Sequence, residues 1–306
     1  MRTHRTLAAL AGFKPSLIFE ITDRCDCRCS FCYEKTRRQN LDVPVATFAR
    51  VLRTVRPLYL QITGGEALLH PDFEECLRVA LAAVPVVQIT TNGTTLERKL
   101  RFLAGLKRKP LIGISLDFPD DRHDRVRKRA GLFRKIQETI PRMKGEGIPV
   151  AFSTTVFGPG AVPEAPEGNL GEVEGLVELS SRWDVPVNIQ SCSPAVEEVR
   201  VELGRKLLSM TYRKLVNSPG YRRLLVAGHD GRCRFNWTNA SFGTAGNPLP
   251  TEYGRCYFCD DCLRCYYSCV WEPTLLTSLA LPRQAAHFAR MQLHMIPALD
   301  RFLSRI

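Results

Sequence analysis

Three cysteines within one short stretch, Cys25, Cys29 and Cys32, are the residues whose type and spacing most plainly carry chemistry. In a C-x3-C-x2-C pattern, one loop presents three thiolates to three corners of an iron–sulfur cubane. The fourth iron then has no protein ligand, and that open corner can hold a substrate or cofactor. Cys27 stands inside the loop but outside this spacing, as a spectator thiol or a competitor for iron during assembly. A second group follows far downstream: Cys233, then Cys256, Cys259, Cys262, Cys265 and Cys269. The run Cys259-x2-Cys262-x2-Cys265-x3-Cys269 reproduces ferredoxin-like ligand spacing. Zinc held by C-x2-C pairs is the alternative, and the lack of histidine among these thiols favours iron–sulfur. Nine of the twelve cysteines fall between 25 and 32 or between 256 and 269. Neighbours so close rarely pair as disulfides, whereas the spacing suits metal ligands.

Such a loop needs a scaffold. Six short segments rich in β-branched residues and bounded by Gly, Pro or Asn read as buried strands: 17–22, 58–63, 85–90, 111–117, 149–156 and 186–190. Amphipathic stretches near 44–56, 73–83, 95–107, 131–145 and 170–183 alternate with them. Asn169 is placed to cap the last of these, with Glu172 in capping-box position. Alternation of this kind implies βαβ units and a parallel sheet. Six units fall short of a closed eight-fold barrel, so the expected fold is α/β, a partial (β/α)6 TIM-like barrel with a cysteine-rich C-terminal auxiliary-cluster domain. Function in such a sheet belongs at the C-terminal strand ends. The cysteine loop, Gly64–Glu66, Asn92, Asp117 and Cys192 all fall there. The expected divisions are an N-terminal helical extension (1–15), the barrel (16–217) and the auxiliary domain with C-terminal helices (218–306).

These motifs, in this order, resemble the radical S-adenosylmethionine (radical SAM) superfamily over residues 16–192. Phe31 occupies the aromatic slot of the cysteine loop and Tyr33 follows it. Gly64-Gly65-Glu66 matches the family's GGE motif, which implies a contact to the methionine amino group. Thr91-Asn92-Gly93, Ile114-Ser115-Leu116-Asp117, His123-Asp124 with Arg127, Phe152–Val156 and Asn169 match later positions. The resemblance implies a [4Fe–4S] cluster with an open iron site on Cys25, Cys29 and Cys32. It also implies S-adenosylmethionine contacts from Tyr33, Gly64, Gly65, Glu66, Asn92, Ser115, Asp117, Arg127 and Thr154, with Arg127 facing the methionine carboxylate. The C-terminal cysteines resemble SPASM and twitch domains, implying one or two auxiliary [4Fe–4S] clusters on Cys233, Cys256, Cys259, Cys262, Cys265 and Cys269. The match is partial, because the full SPASM pattern has one more cysteine and a longer middle spacing.

The resemblance further implies an enzyme that cleaves S-adenosylmethionine to a 5′-deoxyadenosyl radical and takes a hydrogen atom from a substrate. Peptide modification, by crosslinking, thioether formation or epimerisation, is the leading expectation. Dehydrogenation or other chemistry on a sugar, tetrapyrrole or anionic metabolite is the alternative. Cys192, just beyond the sixth strand, is either a buried small apolar residue or a hydrogen-atom donor to a substrate radical. An external electron donor, a flavodoxin or ferredoxin, is a required partner. The formal charge of +12 favours anionic partners, such as an acidic precursor peptide. No aromatic-interleaved motif supports nucleic-acid binding. No apolar run approaches the ~20 residues of a membrane span, and the expected location is cytoplasmic.

Overall fold

A computed structural model describes residues 16–32, 39–192, 196–217, 219–227 and 239–242. Six strands follow one another in the expected order: β1 (Ser16–Thr22), β2 (Tyr59–Gly64), β3 (Val86–Thr91), β4 (Leu111–Ser115), β5 (Val150–Val156) and β6 (Val187–Ser191). Each pairs in parallel with its neighbour. A further strand, β7 (Asn239–Phe242), pairs in parallel with the free edge of β1, giving the order β6-β5-β4-β3-β2-β1-β7. It lies past the boundary expected at 218, so the barrel sheet draws on chain beyond that point. Helices α1 (Val45–Val55), α2 (Phe73–Ala83), α3 (Leu96–Gly105), α4 (Arg122–Arg127), α5 (Leu132–Gly145) and α6 (Val173–Trp183) fill the crossovers. Helices α7 (Glu197–Ser209) and α8 (Pro219–Ala227) follow β6 and pack on each other. Helix α7 ends at Ser209, where Met210 turns to extended backbone. No helix among the described residues is long and apolar enough to cross a membrane.

The strands read with a period of two, and the two faces differ. Leu60 and Ile62, Val87 and Ile89, and Val187 and Ile189 are buried toward the helices. Helix α1 answers with Phe48, Val51, Leu52 and Val55, a stripe at helical spacing. Each fully buried side chain of this size contributes about 1.5–3 kcal/mol. On the other face Gln61, Thr63, Gln88, Thr90, Ser153, Thr155, Asn188 and Gln190 are only half-buried. Parallel sheets are normally covered on both faces by apolar contacts. Here the concave face is polar and partly open, beneath the strand ends that carry the cysteine loop.

Candidate active site at the strand ends

The loop after β1 is tied down before its first cysteine. Asp23 is buried, and its carboxylate accepts backbone N–H bonds from Gln39 and Leu41, both at 2.7 Å. Thr22 Oγ1 donates to Asp42 at 2.7 Å, and the same carboxylate receives Arg24 Nε at 2.9 Å. The chain therefore leaves and re-enters the site through one clasp. Next comes the glycine turn after β2: Gly65 N–H donates to the Thr22 carbonyl at 2.8 Å, and Glu66 N–H to the Arg24 carbonyl at 2.6 Å. A Cβ at Gly64 would overlap the Thr22 carbonyl, and one at Gly65 the carbonyls of Asp23 and Arg24. Gly64 also has φ +151°, so both positions require glycine.

Glu66 is buried, and its carboxylate accepts Thr91 Oγ1 at 2.7 Å, Asn92 N–H at 2.6 Å and Leu68 N–H at 3.1 Å. It thus locks the end of β2 to the end of β3. Burial pushes its pKa up to about 7 against these donors. Asn92, so positioned, points its amide at the loop: Nδ2 lies 3.8 Å from Cys25 Sγ and 3.1 Å from Asp26 Oδ1. Its Oδ1 accepts Thr94 N–H at 2.9 Å and Thr94 Oγ1 at 2.8 Å, which fixes the amide's orientation.

A buried ion pair braces the other side. Arg127 Nε and Nη2 both reach Asp117 Oδ2 at 2.7 Å. Asp117 is fully buried, and its Oδ1 accepts Thr155 N–H at 3.2 Å. His123 Nδ1 accepts Asp117 N–H at 3.2 Å, and burial holds this imidazole neutral. The Arg127 guanidinium sits 5.3 Å from the Phe31 ring centroid, and its carbonyl accepts Arg28 N–H at 3.3 Å. Two residues expected to meet S-adenosylmethionine are therefore engaged with each other beneath the loop. Thr154 is likewise buried, donating to the Leu116 carbonyl at 2.7 Å, which ties the end of β4 to β5. Asn169 makes no cap bond to α6; it accepts Phe157 N–H at 2.8 Å and donates to the carbonyls of Asp117 and Thr155. Glu172 pairs with Arg122 at 2.6 Å in place of the expected capping box.

The thiols themselves differ. Cys27 and Cys29 are buried, Cys25 and Cys32 partly exposed. Cys27 donates to Cys25 and Cys29, and this, with burial, pushes its pKa far up. The Cys27 hydrogen bond first, then the charge of Arg127, hold Cys29 down at about 7 against burial. Thiolate is the metal-binding form, and these shifts favour it at Cys29 and disfavour it at Cys27. No three His, Cys, Asp or Glu among the described residues converge as ligands of one metal ion. A cubane instead binds its three thiolates at three separate corners, and the three-cysteine loop fits that donor requirement. Phe31 stacks on Phe157 at 5.3 Å, and Cys192 packs into the same apolar group with Phe118 and Val162. Ser115 and Ser153 sit opposite each other on the concave side. Tyr33 and all six C-terminal cysteines, Cys233 to Cys269, lie outside the described residues.

Residues 19–170 match the family model described as the radical SAM superfamily. The chain belongs to that superfamily. Among curated radical SAM relatives, it is 34% identical to the antilisterial bacteriocin subtilosin biosynthesis protein AlbA of Bacillus subtilis, over 52% of this chain and 35% of that protein. It is 27% identical to the sporulation killing factor maturation protein SkfB of the same organism, over 53% and 38%. It is also 29% identical to the GTP 3′,8-cyclase of Chlorobaculum tepidum, over 57% and 52%. The chain thus spans about a third to a half of these relatives' length. The crystal structure of Streptococcus suis SuiB bound to S-adenosylmethionine shares its fold, with a TM-score of 0.62 at 15% identity, over 80% of this chain and 62% of that one.

The clasp residues Asp23, Asp26, Asp42 and Thr94 were not foreseen from the sequence. Most of their partners are distant in the chain, from Gln39 on Asp23 at 16 positions to Arg129 on Asp26 at 103, and no local pattern marks such a contact.

Proposed function

We propose that this protein is a radical SAM enzyme that modifies a peptide. The observation that carries the reading is the loop bearing Cys25, Cys29 and Cys32, clasped at the strand ends directly against the Gly64–Glu66 turn and the Asn92 amide. In this reading the three thiolates hold a [4Fe–4S] cluster, and the strand-end groups of Gly64, Gly65, Asn92 and Ser115 border the S-adenosylmethionine site. When bound, the cluster supplies the electron that breaks a sulfonium C–S bond, giving methionine and the 5′-deoxyadenosyl radical that takes a substrate hydrogen. Around it, the chain's own residues do positioning work. Glu66 locks β2 to β3, and the Asp117–Arg127 pair supports the loop from below. Phe31, Phe157 and Cys192 form an apolar wall beside the loop.

The peptide assignment is supported by the likeness to proteins of bacteriocin biosynthesis and killing-factor maturation, and by the net positive charge. Cys233 to Cys269 resemble SPASM and twitch ligands, and in this reading bind one or two auxiliary clusters. An acidic one-electron carrier such as flavodoxin or ferredoxin would reduce the enzyme. The similarity to GTP 3′,8-cyclases favours a nucleotide substrate as the second reading.

Anaerobic incubation of the reconstituted chain with S-adenosylmethionine and dithionite, followed by mass spectrometry, tests the radical step. 5′-Deoxyadenosine should form, and Cys25→Ala, Cys29→Ala or Cys32→Ala should abolish it. Wild-type protein loaded with cluster that yields none would sink the reading. Iron analysis tests the auxiliary domain, since about four irons per chain would leave no auxiliary cluster.

A further inference from the structure

Strands β1 to β6 contain one charged residue, Glu20, and no Lys, Arg or His. Their concave face is built of amides and hydroxyls instead. Two of these amides stand side by side, because Gln61 and Gln88 are register partners on β2 and β3. Neighbouring strands lie about 4.8 Å apart. Gln61 Nε2 donates to Thr90 Oγ1 at 2.9 Å, and Gln88 Oε1 accepts Tyr59 OH at 2.7 Å. Those two bonds orient both amides and use one end of each. What those bonds leave unused among the described residues is an acceptor, Gln61 Oε1, and a donor, Gln88 Nε2, on facing residues of the two strands. Gly113 makes room for the Gln88 amide, since a Cβ there would come within 3.0 Å of Nε2. Both glutamines are half-buried, so ligand hydrogen bonds would be partly shielded from water without the cost of desolvating a charge.

We propose that Gln61 and Gln88 form a recognition site for an uncharged peptide unit of the substrate. A residue in extended conformation presents its own N–H and C=O along one edge, the arrangement that exchanges two bonds with a facing residue in an antiparallel pair. Gln61 Oε1 takes that N–H, and Gln88 Nε2 donates to that C=O. The pair lies two residues, about 7 Å, deeper than Thr63 and Thr90 at the strand ends. A chain held there presents its next residues upward, toward the cysteine loop. A triphosphate finds no cation on these strands. This inference rests on the peptide reading of the same site and specifies how the substrate backbone is held.

Saturation-transfer NMR on the full-length, cluster-loaded protein tests it, with N-acetyl-dialanine amide, GTP and methyl glucoside as probes. The diamide should receive saturation, and the other two none. Gln61→Leu should weaken diamide binding about three- to tenfold, the range expected for one neutral hydrogen bond. Gln88→Glu keeps the acceptor for Tyr59 and so preserves the fold, yet removes the donor, and should weaken binding to the same degree. Diamide binding unchanged in both variants overturns the proposal, as does Gln61-dependent binding of GTP or the glucoside. 5′-Deoxyadenosine formation in wild-type protein reports the radical reading separately, and modification of a precursor peptide reports the peptide reading. Either can therefore fail or stand independently of the glutamine pair.

Discussion

The ring of side chains at the strand ends and the concave face one layer below are built from the same six strands by opposite rules. At the ends, charge is buried and satisfied: Asp117 with Arg127, Glu66 with three donors, Asp23 with two backbone amides. On the concave face the side chains other than Glu20 are neutral, and Gln61, Gln88 and Thr90 are half-open and only partly used by one another. Buried charge with fixed partners resists displacement, because breaking one contact strands the other partner. Neutral amides with an unused end exchange a water for a ligand at little cost. The upper layer is thus suited to holding a loop in one geometry, and the lower to receiving something that comes and goes.

Breaking the upper layer should be the more damaging. Asp117→Ala leaves Arg127 buried without its carboxylate, and loss of one partner from a buried pair costs about 3–5 kcal/mol. Urea titration should show that loss, and an Asp117→Leu/Arg127→Met double variant should recover most of it. A single-variant cost below about 1 kcal/mol would mean that the pair does not brace the loop. Glu66 gives a pH-dependent test of the same layer. Its carboxyl titrates near 7 in the folded chain and near 4.3 in an unfolded one. A raised carboxyl pKa means the folded state binds the extra proton, so stability is greatest below about pH 4 and falls as pH rises through 7. The decrement is about 4 kcal/mol at most. Denaturation midpoints from pH 5 to 8 should fall in the wild type and flatten in Glu66→Gln; equal slopes would remove Glu66 as the cause.

The βα alternation and the cysteine loop were legible because each is local. A period of two, a glycine turn and a C-x3-C-x2-C spacing are all visible within ten residues. What stayed hidden has a cause of the opposite kind. The pairing of Arg127 with Asp117, ten residues away, forms only through the turn between β4 and α4. Asn169 looked like a helix cap, yet the ends of β4 and β5 converge on it and claim its amide. Strand β7 was hidden because its partner, β1, lies more than two hundred residues earlier. The glutamine pair did leave a trace, since Gln-Ile-Thr occurs at 61–63 and again at 88–90. Only the register shows that these repeats stand next to each other.

Asn92 marks where the two layers meet, and its substitution is the smallest effect expected. Its Nδ2 lies 3.8 Å from Cys25 Sγ, and donors to cysteine sulfur help to set the potential of an iron–sulfur cluster. Taking that donor away leaves more negative charge on the sulfur and disfavours the reduced state. Asn92→Ala should therefore shift the cluster's midpoint potential in the negative direction, measured by EPR-monitored redox titration, while iron content stays at the wild-type level. Thr22→Val is the control, because it loosens the clasp at Asp42 without touching the Asn92 amide. If the two variants shift the potential equally, loop position matters and the hydrogen bond does not. A shift confined to Asn92→Ala makes a neutral amide the tuning group, within a layer otherwise held by charge.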